Sequence, residues 1–238
     1  MKANGERETR AREVRRRLRL ALPEPRCELK HENAWQLLIA TILSAQSTDA
    51  RVNQVTPALF RRYPTPEALG RAKLPEVEQL IRSTGFYRNK AKSVVGASRL
   101  LAERHGGEVP RSLEALVELP GVARKTANVV LGTAYRLPTG FIVDTHAGRV
   151  ARRLHLSGSE DPARVEQDLC RLFARRDWVD MGHRFVLHGR YVCTARNPAC
   201  RSCPLQEICP SAEAEGEGSV AKRAAAERAR VAAPATAG

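Results

Sequence analysis

Apolar residues return at intervals of three, four, seven and eight positions in several windows of the chain, which is the spacing of one face of an α-helix. The windows contain Trp35, Leu38, Ile39, Ile42 and Leu43; Ala91, Val94, Val95, Leu101 and Ala102; and Val165, Leu169, Leu172 and Phe173. The third window follows Asp161-Pro162, a pair typical of a helix start. The alternation that predicts strands is nearly absent. We therefore predict an all-α protein.

Short segments with proline or glycine separate the helical windows, among them YPTPE, STGFYRN, RHGGEVPRS and RLPTG. Such residues end helices, so the connections are expected to be short. The 238 residues suffice for a hydrophobic core and for one domain or two small ones. Residues 211–238 have no large apolar residue other than valine, which predicts a disordered tail with at most a transient helix around 221–232.

Residues 112–135 contain two helical halves joined by Leu119-Pro120-Gly121-Val122, with the second half starting near Ala123 or Arg124. Gly121 can take a positive φ, and the first turn of the following helix offers unpaired N–H groups, so the turn can bind a phosphate. An ordinary connection between two packed helices is the alternative.

Lys125 is a lysine in a chain that strongly prefers arginine. Only seven of the 40 lysine and arginine residues are lysines. Positive charge at a helix start opposes the helix dipole, and such exceptions mark functional positions. Unlike a guanidinium, an amine that is desolvated or lies beside positive charge can become neutral, and a neutral amine forms Schiff bases with sugar carbons. A plain surface lysine is the alternative.

The formal charge of +14 favours nucleic acid as the partner, although a general preference of the organism for arginine would also produce it. The arginine-rich N-terminus is interrupted by Glu6, Glu8 and Glu13, which is atypical of a transit peptide. Every apolar run is broken by charge or proline before it reaches membrane-spanning length. We expect a cytoplasmic protein.

The segment after the hairpin contains a carboxylate, Asp144, that is a candidate for catalysis. Phe141-Ile142-Val143 leads into Asp144, which is predicted to cap a helix that starts at Thr145. Most such aspartates are only caps, and the sequence alone does not bring this carboxylate to Lys125. For His146, and equally for His183 and His188, a structural or DNA-contacting role is favoured over metal binding.

Four of the six cysteines, Cys193, Cys200, Cys203 and Cys209, lie within seventeen positions with the spacing C-x6-C-x2-C-x5-C. The spacing differs from the paired C-x2-C arrangement of common zinc ribbons, which disfavours zinc, and four thiolates suit a four-iron, four-sulfur cluster. Two disulfides are the remaining alternative, disfavoured by the expected reducing compartment. Cys27 and Cys170 are interpreted as buried small hydrophobes.

Taken together, these features make the chain resemble endonuclease III, the bifunctional DNA glycosylase family of the helix-hairpin-helix Gly/Pro-Asp superfamily. The resemblance covers residues 10–210. Its motifs are LLIATILSAQSTD (37–49), GFYRNKAK (85–92), LPGVARKTANVVLGTA (119–134), VDTH (143–146), LHGRYVC (187–193) and the cysteine cluster. No one of these motifs is specific alone.

The resemblance implies two helical domains with a DNA-binding cleft between them. A six-helix domain with the hairpin would span residues 27–136. The iron–sulfur domain would combine residues 1–26 and 137–210. The protein is expected to act as a monomer, without a membrane, in the nucleoid.

The resemblance also implies that oxidised pyrimidines are removed from double-stranded DNA and that abasic sites are nicked by β-elimination. Lys125 would be the Schiff-base nucleophile and Asp144 the catalytic carboxylate. Cys193, Cys200, Cys203 and Cys209 would bind a 4Fe-4S cluster with a structural role. The implied DNA contacts are Gln46, Phe86, Gly121, Val122, Ala123, Arg124, His146 and Arg196.

Two residues depart from the family pattern. Ala123 replaces the second glycine of the hairpin, so the turn must either avoid a positive φ there or carry its steric cost, and Asn197 stands where relatives often have lysine. Adenine- or thymine-mismatch glycosylases are the nearest alternatives, but their motifs lack a lysine at position 125. A non-catalytic DNA-binding protein would not need both Lys125 and Asp144.

Overall fold

The computed structural model describes the backbone of residues 2–212 and the side chains of residues 5–212. In this part of the chain the structure is helical and contains no strand. The helices are α1 (Lys2–Ala21), α2 (Ala34–Leu43), α3 (Asp49–Arg62), α4 (Pro66–Gly70), α5 (Leu74–Ile81), α6 (Tyr87–His105), α7 (Leu113–Val117), α8 (Arg124–Tyr135), α9 (Thr145–Arg153), α10 (Pro162–Leu172) and α11 (Trp178–Tyr191). Short 3-10 helices occupy Arg82–Thr84, Arg175–Asp177, Cys200–Ser202 and Gln206–Ile208. The all-α prediction is confirmed.

Local sequence signals set several of the helix starts. Asp161 caps α10 by accepting hydrogen bonds from the N–H groups of Ala163 and Arg164, and Pro162 occupies the first helical position. Ser112 and Thr65 cap α7 and α4 in the same way. The capping oxygen satisfies a backbone donor that has no partner inside the helix. The predicted start of α10 at Asp161-Pro162 is therefore confirmed.

The chain divides into two compact units. One unit is Cys27–Thr139 and contains α2 to α8. Its core is built around α2, where every residue from Leu37 to Leu43 is buried. The buried Trp35 packs its ring 5.4 Å from that of Phe60 and donates its indole N–H to the hydroxyl of Ser98. Cys27, predicted to be buried, is only partly buried at the edge of this core.

The other unit combines the described residues up to Arg26 with those from Gly140 onward. Its core contains Phe141, Phe173 and Phe185, whose ring centroids lie 5.3 to 5.8 Å apart. Burying each such ring contributes about 1.5–3 kcal/mol. Cys170 is partly buried against this core, so the prediction that it is buried is wrong for it as well.

Helix α1 belongs to this second unit because of an apolar stripe among its arginines. Ala11, Val14 and Leu18 are at most 1% exposed and fall on one helical face. The end of α1 is fixed by the buried Arg184, which donates to the carbonyls of Leu22 and Pro23 at 2.8 and 2.7 Å. No helix among the described residues is long and apolar enough to cross a membrane. The predicted disordered tail lies almost wholly outside the described residues.

Candidate active site and metal centre

The hairpin predicted between residues 112 and 135 is formed by α7, a tight turn and α8. Gly121 has φ of 77°, which glycine adopts without steric cost. Ala123 has φ of −89° and is the N-cap residue of α8, so of the two possibilities the turn avoids a positive φ at this position. The N–H of Val122 donates to the carbonyl of Leu119 at 3.1 Å and closes the turn.

The turn lies directly against α6. A Cβ atom at Gly121 would stand 2.7 Å from Cβ of Ser93, and one at Gly96 would stand 3.2 Å from Cγ of Pro120. Backbone can approach this closely only where no side chain intervenes. The position of the turn relative to α6 is therefore fixed by two glycines, one on each side of the contact.

Lys125 occupies the first turn of α8, next to the exposed Arg124. No side chain caps this helix, and no acidic residue lies in its first turn. The start of α8 therefore keeps its positive dipole end and two cationic side chains together, which favours an anion such as a DNA phosphate. Lys125 itself is partly exposed.

Gln46 and Phe86 share an unusual backbone conformation in the same unit. Their φ values are 53° and 47°, in the left-handed region that residues other than glycine seldom adopt. Both side chains are exposed, and Phe86 is 66% accessible although it is aromatic. Strained backbone that presents an exposed side chain is typical of a contact site.

Asp144 lies at the start of α9 after the buried residues Phe141–Val143. Its Oδ1 accepts hydrogen bonds from the N–H groups of His146 and Ala147 at 2.9 and 2.8 Å. The predicted capping role is confirmed. Both bonds use the same oxygen, so the cap does not occupy Oδ2.

His146 follows Asp144 on α9 and contacts α11. A Cβ atom at Gly189 would stand 2.7 Å from the carbonyl oxygen of His146, so the two helices meet at their backbones. The His146 ring places Nδ1 3.2 Å from Nη2 of Arg149. His183 and His188 are buried at 7% and 3% exposure, which gives them structural positions.

The four clustered cysteines line one cavity in the second unit, together with His188. None of the six cysteines is joined to another in a disulfide, so the structure does not support the disulfide alternative. Among the described residues no three thiol, imidazole or carboxylate groups converge closely enough to hold a single metal ion. A zinc site needs such convergence, whereas a multi-atom cluster needs thiols spaced around it.

The electrostatics of this cavity fit the same group. Burial raises the pKa of Cys203 to about 12, and burial also raises the pKa of Cys209. Thiols in this environment become thiolates only when positive charge compensates for the lost hydration. The iron atoms of a cluster supply that charge, so the donor set fits an iron–sulfur centre.

Two arginines of α9 hold the loop that follows Cys193, and the sequence reasoning missed them. Arg153 donates to the carbonyls of Thr194 and Ala195 at 2.7 and 3.1 Å and to Sγ of Cys193 at 3.3 Å. Arg149 donates to the carbonyls of Cys193 and Gly189 at 3.0 and 2.7 Å. Their spacing of four residues in VARR and HAGR was the available signal, since it places both on one helical face.

The loop presents Arg196 to solvent, as the predicted contact with DNA requires. The hydroxyl of Thr194 stabilises the loop by donating a hydrogen bond to the carbonyl of Arg196 at 2.8 Å. Asn197 has φ of 51°, a conformation that asparagine tolerates better than most residues. The departure from lysine at this position is therefore compatible with a tight loop.

Two family models match the chain. Residues 39–175 match the model described as HhH-GPD superfamily base excision DNA repair protein. Residues 193–209 match the model described as iron-sulfur binding domain of endonuclease III. The second match covers all four cysteines of the cavity, and the cofactor of this centre is a 4Fe-4S cluster.

Individual relatives agree with the family models. Endonuclease III of Synechocystis sp. is 51% identical over 205 residues, which is 86% of this chain and 94% of the relative. A non-covalent endonuclease III–DNA complex has a TM-score of 0.83 at 42% identity and covers 87% of this chain and 96% of that chain. A trapped endonuclease III–DNA covalent intermediate has a TM-score of 0.80 at 42% identity, covering 85% and 97%. The chain therefore belongs to the endonuclease III family of HhH-GPD base excision DNA repair proteins.

Proposed function

We propose that this chain releases oxidised pyrimidines from duplex DNA through a Schiff base on Lys125 and then cleaves the abasic strand by β-elimination. As a member of its family, the chain is a base-excision DNA glycosylase with lyase activity at abasic sites. The lesion class and the residues that act on it are the proposed part. The mismatch-glycosylase alternatives are not favoured, because the relatives are endonuclease III proteins.

The observation that carries the proposal is the position of Lys125 in the first turn of α8, directly after the Gly121 turn. The uncapped N–H groups of this turn can hold a phosphate of the damaged strand. A phosphate held there brings the sugar of the same strand to the amine. Binding and nucleophilic attack are then served by one short segment.

The chemistry follows from the amine and the carboxylate. The nitrogen lone pair of Lys125 forms a bond to C1′ of the damaged nucleotide while the glycosidic bond breaks and its electron pair leaves with the base. Asp144 takes the proton that the amine loses. Ring opening gives the imine, loss of a C2′ proton feeds electrons toward C3′, and the 3′ phosphate departs to leave the nick.

Asp144 can serve as both cap and catalyst because its two oxygens have separate tasks. Oδ1 accepts the two N–H groups at the start of α9, which fixes the carboxylate, and Oδ2 is left for the reaction. General acid–base catalysis by a positioned group contributes roughly 10²–10⁴-fold.

The remaining predicted contacts serve recognition. Turning a base out of the stack costs about a few kcal/mol, and less for a damaged base. We assign Phe86 and Gln46 to the gap that the base leaves, since both are exposed on strained backbone. Gly121, Val122, Ala123 and Arg124 would contact phosphates through the hairpin. His146 and Arg196 would do so from the other unit.

The iron–sulfur cluster would be held by Cys193, Cys200, Cys203 and Cys209, and its thiolate bonds would cross-link residues that form only short 3-10 turns. Its contribution is to the shape of the loop that carries Arg196. Arg149 and Arg153 hold the same loop from α9.

The test is borohydride trapping on a duplex that contains one oxidised pyrimidine, with Lys125→Ala and Asp144→Asn as variants. The unmodified protein should give a covalent complex, Lys125→Ala none. Asp144→Asn should fold normally, because asparagine caps helices as well as aspartate does, yet lose about 10²–10⁴-fold in rate. Free base released without any trapped complex would show that Lys125 is not the nucleophile. No release from this duplex, with release from an adenine or thymine mismatch, would refute the lesion class.

We also infer that the protein acts as a monomer at the nucleoid. Its charge of +14 favours association with nucleic acid. Sedimentation equilibrium across a range of salt concentrations tests the monomer, and a second species at low protein concentration would contradict it.

A further inference from the structure

Lys90 is a buried lysine on α6 whose charge has no part in the reaction described above. Its side chain is 6% exposed, and Nζ donates to the carbonyl oxygen of Thr84 at 2.7 Å. Burial lowers the pKa of this amine. Among the described residues no carboxylate lies within ion-pair distance of it. Burying a charge without a counter-ion is costly, and here the hydrogen bond to Thr84 is what offsets that cost.

Lys90 holds both ends of the turn that carries Phe86. Its side chain binds the carbonyl of Thr84, two residues before Phe86, and its backbone N–H donates to the carbonyl of Phe86 itself at 3.1 Å. Thr84 is in turn buried at 2% exposure, and its hydroxyl donates to the carbonyl of Ile81 at 2.8 Å. Thr84 is thereby anchored to α5, and Lys90 connects that anchor to α6.

The turn between these anchors is strained. Gly85 has φ of 69° and Phe86 has φ of 47°, and Phe86 caps α6 without a side-chain hydrogen bond. A bulky residue keeps a left-handed backbone only where its surroundings determine the conformation. The side chain and the backbone N–H of Lys90 donate to carbonyls at the two ends of this turn, and the side-chain bond is the one specific to lysine.

We propose that Lys90 is a positioning residue that holds the Phe86 turn in the conformation required for insertion into the DNA stack. The inference rests on the proposed role of Phe86 in filling the gap left by the extruded base. Removing the ammonium would let the turn relax toward ordinary φ values, and Phe86 would then have to be reordered at each insertion. The expected loss is in the step that opens the duplex, while the Schiff-base chemistry of Lys125 is unaffected.

A lysine suits this position better than the arginine that the chain uses elsewhere. The target is a single carbonyl oxygen in a buried site, which a compact ammonium on a flexible stem can reach. A planar guanidinium carries five N–H donors, each of which would need an acceptor in the same buried site. A charged donor also makes a stronger hydrogen bond than a neutral one.

The first measurement uses a duplex in which 2-aminopurine lies opposite a tetrahydrofuran abasic analogue, so that its fluorescence reports unstacking of the opposing base. Lys90→Met removes the donor at similar length, and Lys73→Met is the matched control because Lys73 is an exposed lysine of the same unit. Lys90→Met should reduce the rate of the fluorescence rise about tenfold. Lys73→Met should match the unmodified protein, and an unchanged rise for Lys90→Met would refute the inference.

A double-mutant cycle with Phe86→Ala separates positioning from general destabilisation. On a duplex with an oxidised pyrimidine, Lys90→Met and Phe86→Ala should each lower kcat/KM, and the double variant should be no slower than Phe86→Ala alone. Multiplicative losses would show that Lys90 acts independently of Phe86 and would overturn the proposal. Lys90→Gln keeps a neutral donor and should restore part of the rate. It takes the place of Lys90→Met in both measurements if the methionine variant does not fold.

The two measurements distinguish this inference from the proposed function. The abasic analogue requires no base release, so the fluorescence comparison stands even if oxidised pyrimidines are not the substrate. If the unmodified protein releases no oxidised base but the fluorescence rise depends on Lys90, the lesion class is wrong and the positioning role holds. If Lys90→Met releases the oxidised base at the normal rate, the lesion class is right and the positioning role is wrong.

Discussion

Replacing Gly121 with alanine tests whether the hairpin turn is fixed by its contact with α6. The added Cβ would lie 2.7 Å from Cβ of Ser93, 2.9 Å from its Oγ and 3.2 Å from Cγ2 of Ile42. The residue would also have to keep φ of 77°. Two separate costs therefore act on one methyl group.

The magnitude follows from these two costs. A left-handed conformation costs an L-residue about 1–2 kcal/mol. Overpacking against atoms that cannot move freely costs about 1–3 kcal/mol. The loss of chain freedom in the unfolded state returns roughly 0.4–1 kcal/mol. We expect Gly121→Ala to lower the free energy of unfolding by about 2–4 kcal/mol.

Gly106→Ala is the matched control. Gly106 has φ of 57° at the C-terminal end of α6, and an added Cβ there would meet nothing within 4 Å. This variant shares the conformational cost and lacks the contact. Its loss should be about 1 kcal/mol, and the difference between the two variants measures the contact with α6.

Urea unfolding followed by tryptophan fluorescence measures both variants. A Trp178→Phe background leaves Trp35, which lies in the same core as the hairpin. Equal losses for Gly121→Ala and Gly106→Ala, with unchanged denaturant slopes, would refute the steric reasoning. Ser93→Gly removes the two nearest of the three atoms that the new Cβ would meet, so it should recover most of the difference between the two variants in a double-mutant cycle.

Three further predictions concern the other unit. His155 follows α9 with φ of 50°, a conformation that glycine adopts at lower cost. His155→Gly should therefore raise the free energy of unfolding by about 0.5–1 kcal/mol in urea titrations. A lower free energy of unfolding would show that the imidazole contributes to stability. Cys203→Ser should remove the visible absorbance of the cluster and weaken DNA binding through the Arg196 loop, and intact absorbance would exclude Cys203 as a ligand. Hydrogen bonds from Arg16, and secondarily from Arg17, lower the pKa of Glu13 from 4.5 to about 2. The stability that the ionised Glu13 contributes is therefore present above pH 4.5 and is lost as the pH falls toward 2. Glu13→Gln should flatten that limb of the stability profile, and an unchanged limb would contradict the assignment.

The sequence predicted what is local. The starts of α8, α9 and α10 depend on residues within one turn of the helix end, and all three starts match the structure. Gly121 and Ala123 could be judged from the φ values that their side chains allow. The four cysteines could be recognised as a ligand set because they lie close together in one segment of the sequence. The roles of Lys125 and Asp144 stay predictions, since their geometry toward DNA depends on more than local structure.

The sequence did not predict interactions between distant segments. Arg149 and Arg153 act on backbone carbonyls about 40 residues away. Their four-residue spacing places them on one helical face, but it does not identify these distant partners. The net charge also did not predict which arginines bind acidic residues of the same chain. Arg16 and Arg17 of α1 bind Glu13, and Arg15 binds Asp177, so part of the basic N-terminus is used within the protein. Lys90 did leave a signal, because it continues the buried stripe of Val94, Ala97 and Leu101.

Backbone strain connects the fold to the proposed DNA contacts. Within the described residues, five positions other than glycine have positive φ. Arg136 and His155 lie at helix C-termini, where this conformation ends a helix in many proteins. The other three are Gln46, Phe86 and Asn197, which all belong to the segments that the family resemblance assigns to DNA. Strain of this kind cannot be recognised from the residue type in a sequence, because the cost of the left-handed backbone is offset by contacts that only the folded chain makes. If these segments serve the packing alone, glycine at Gln46 and Phe86 should stabilise the protein without loss of excision. If they serve DNA, the same substitutions should stabilise it and slow excision together.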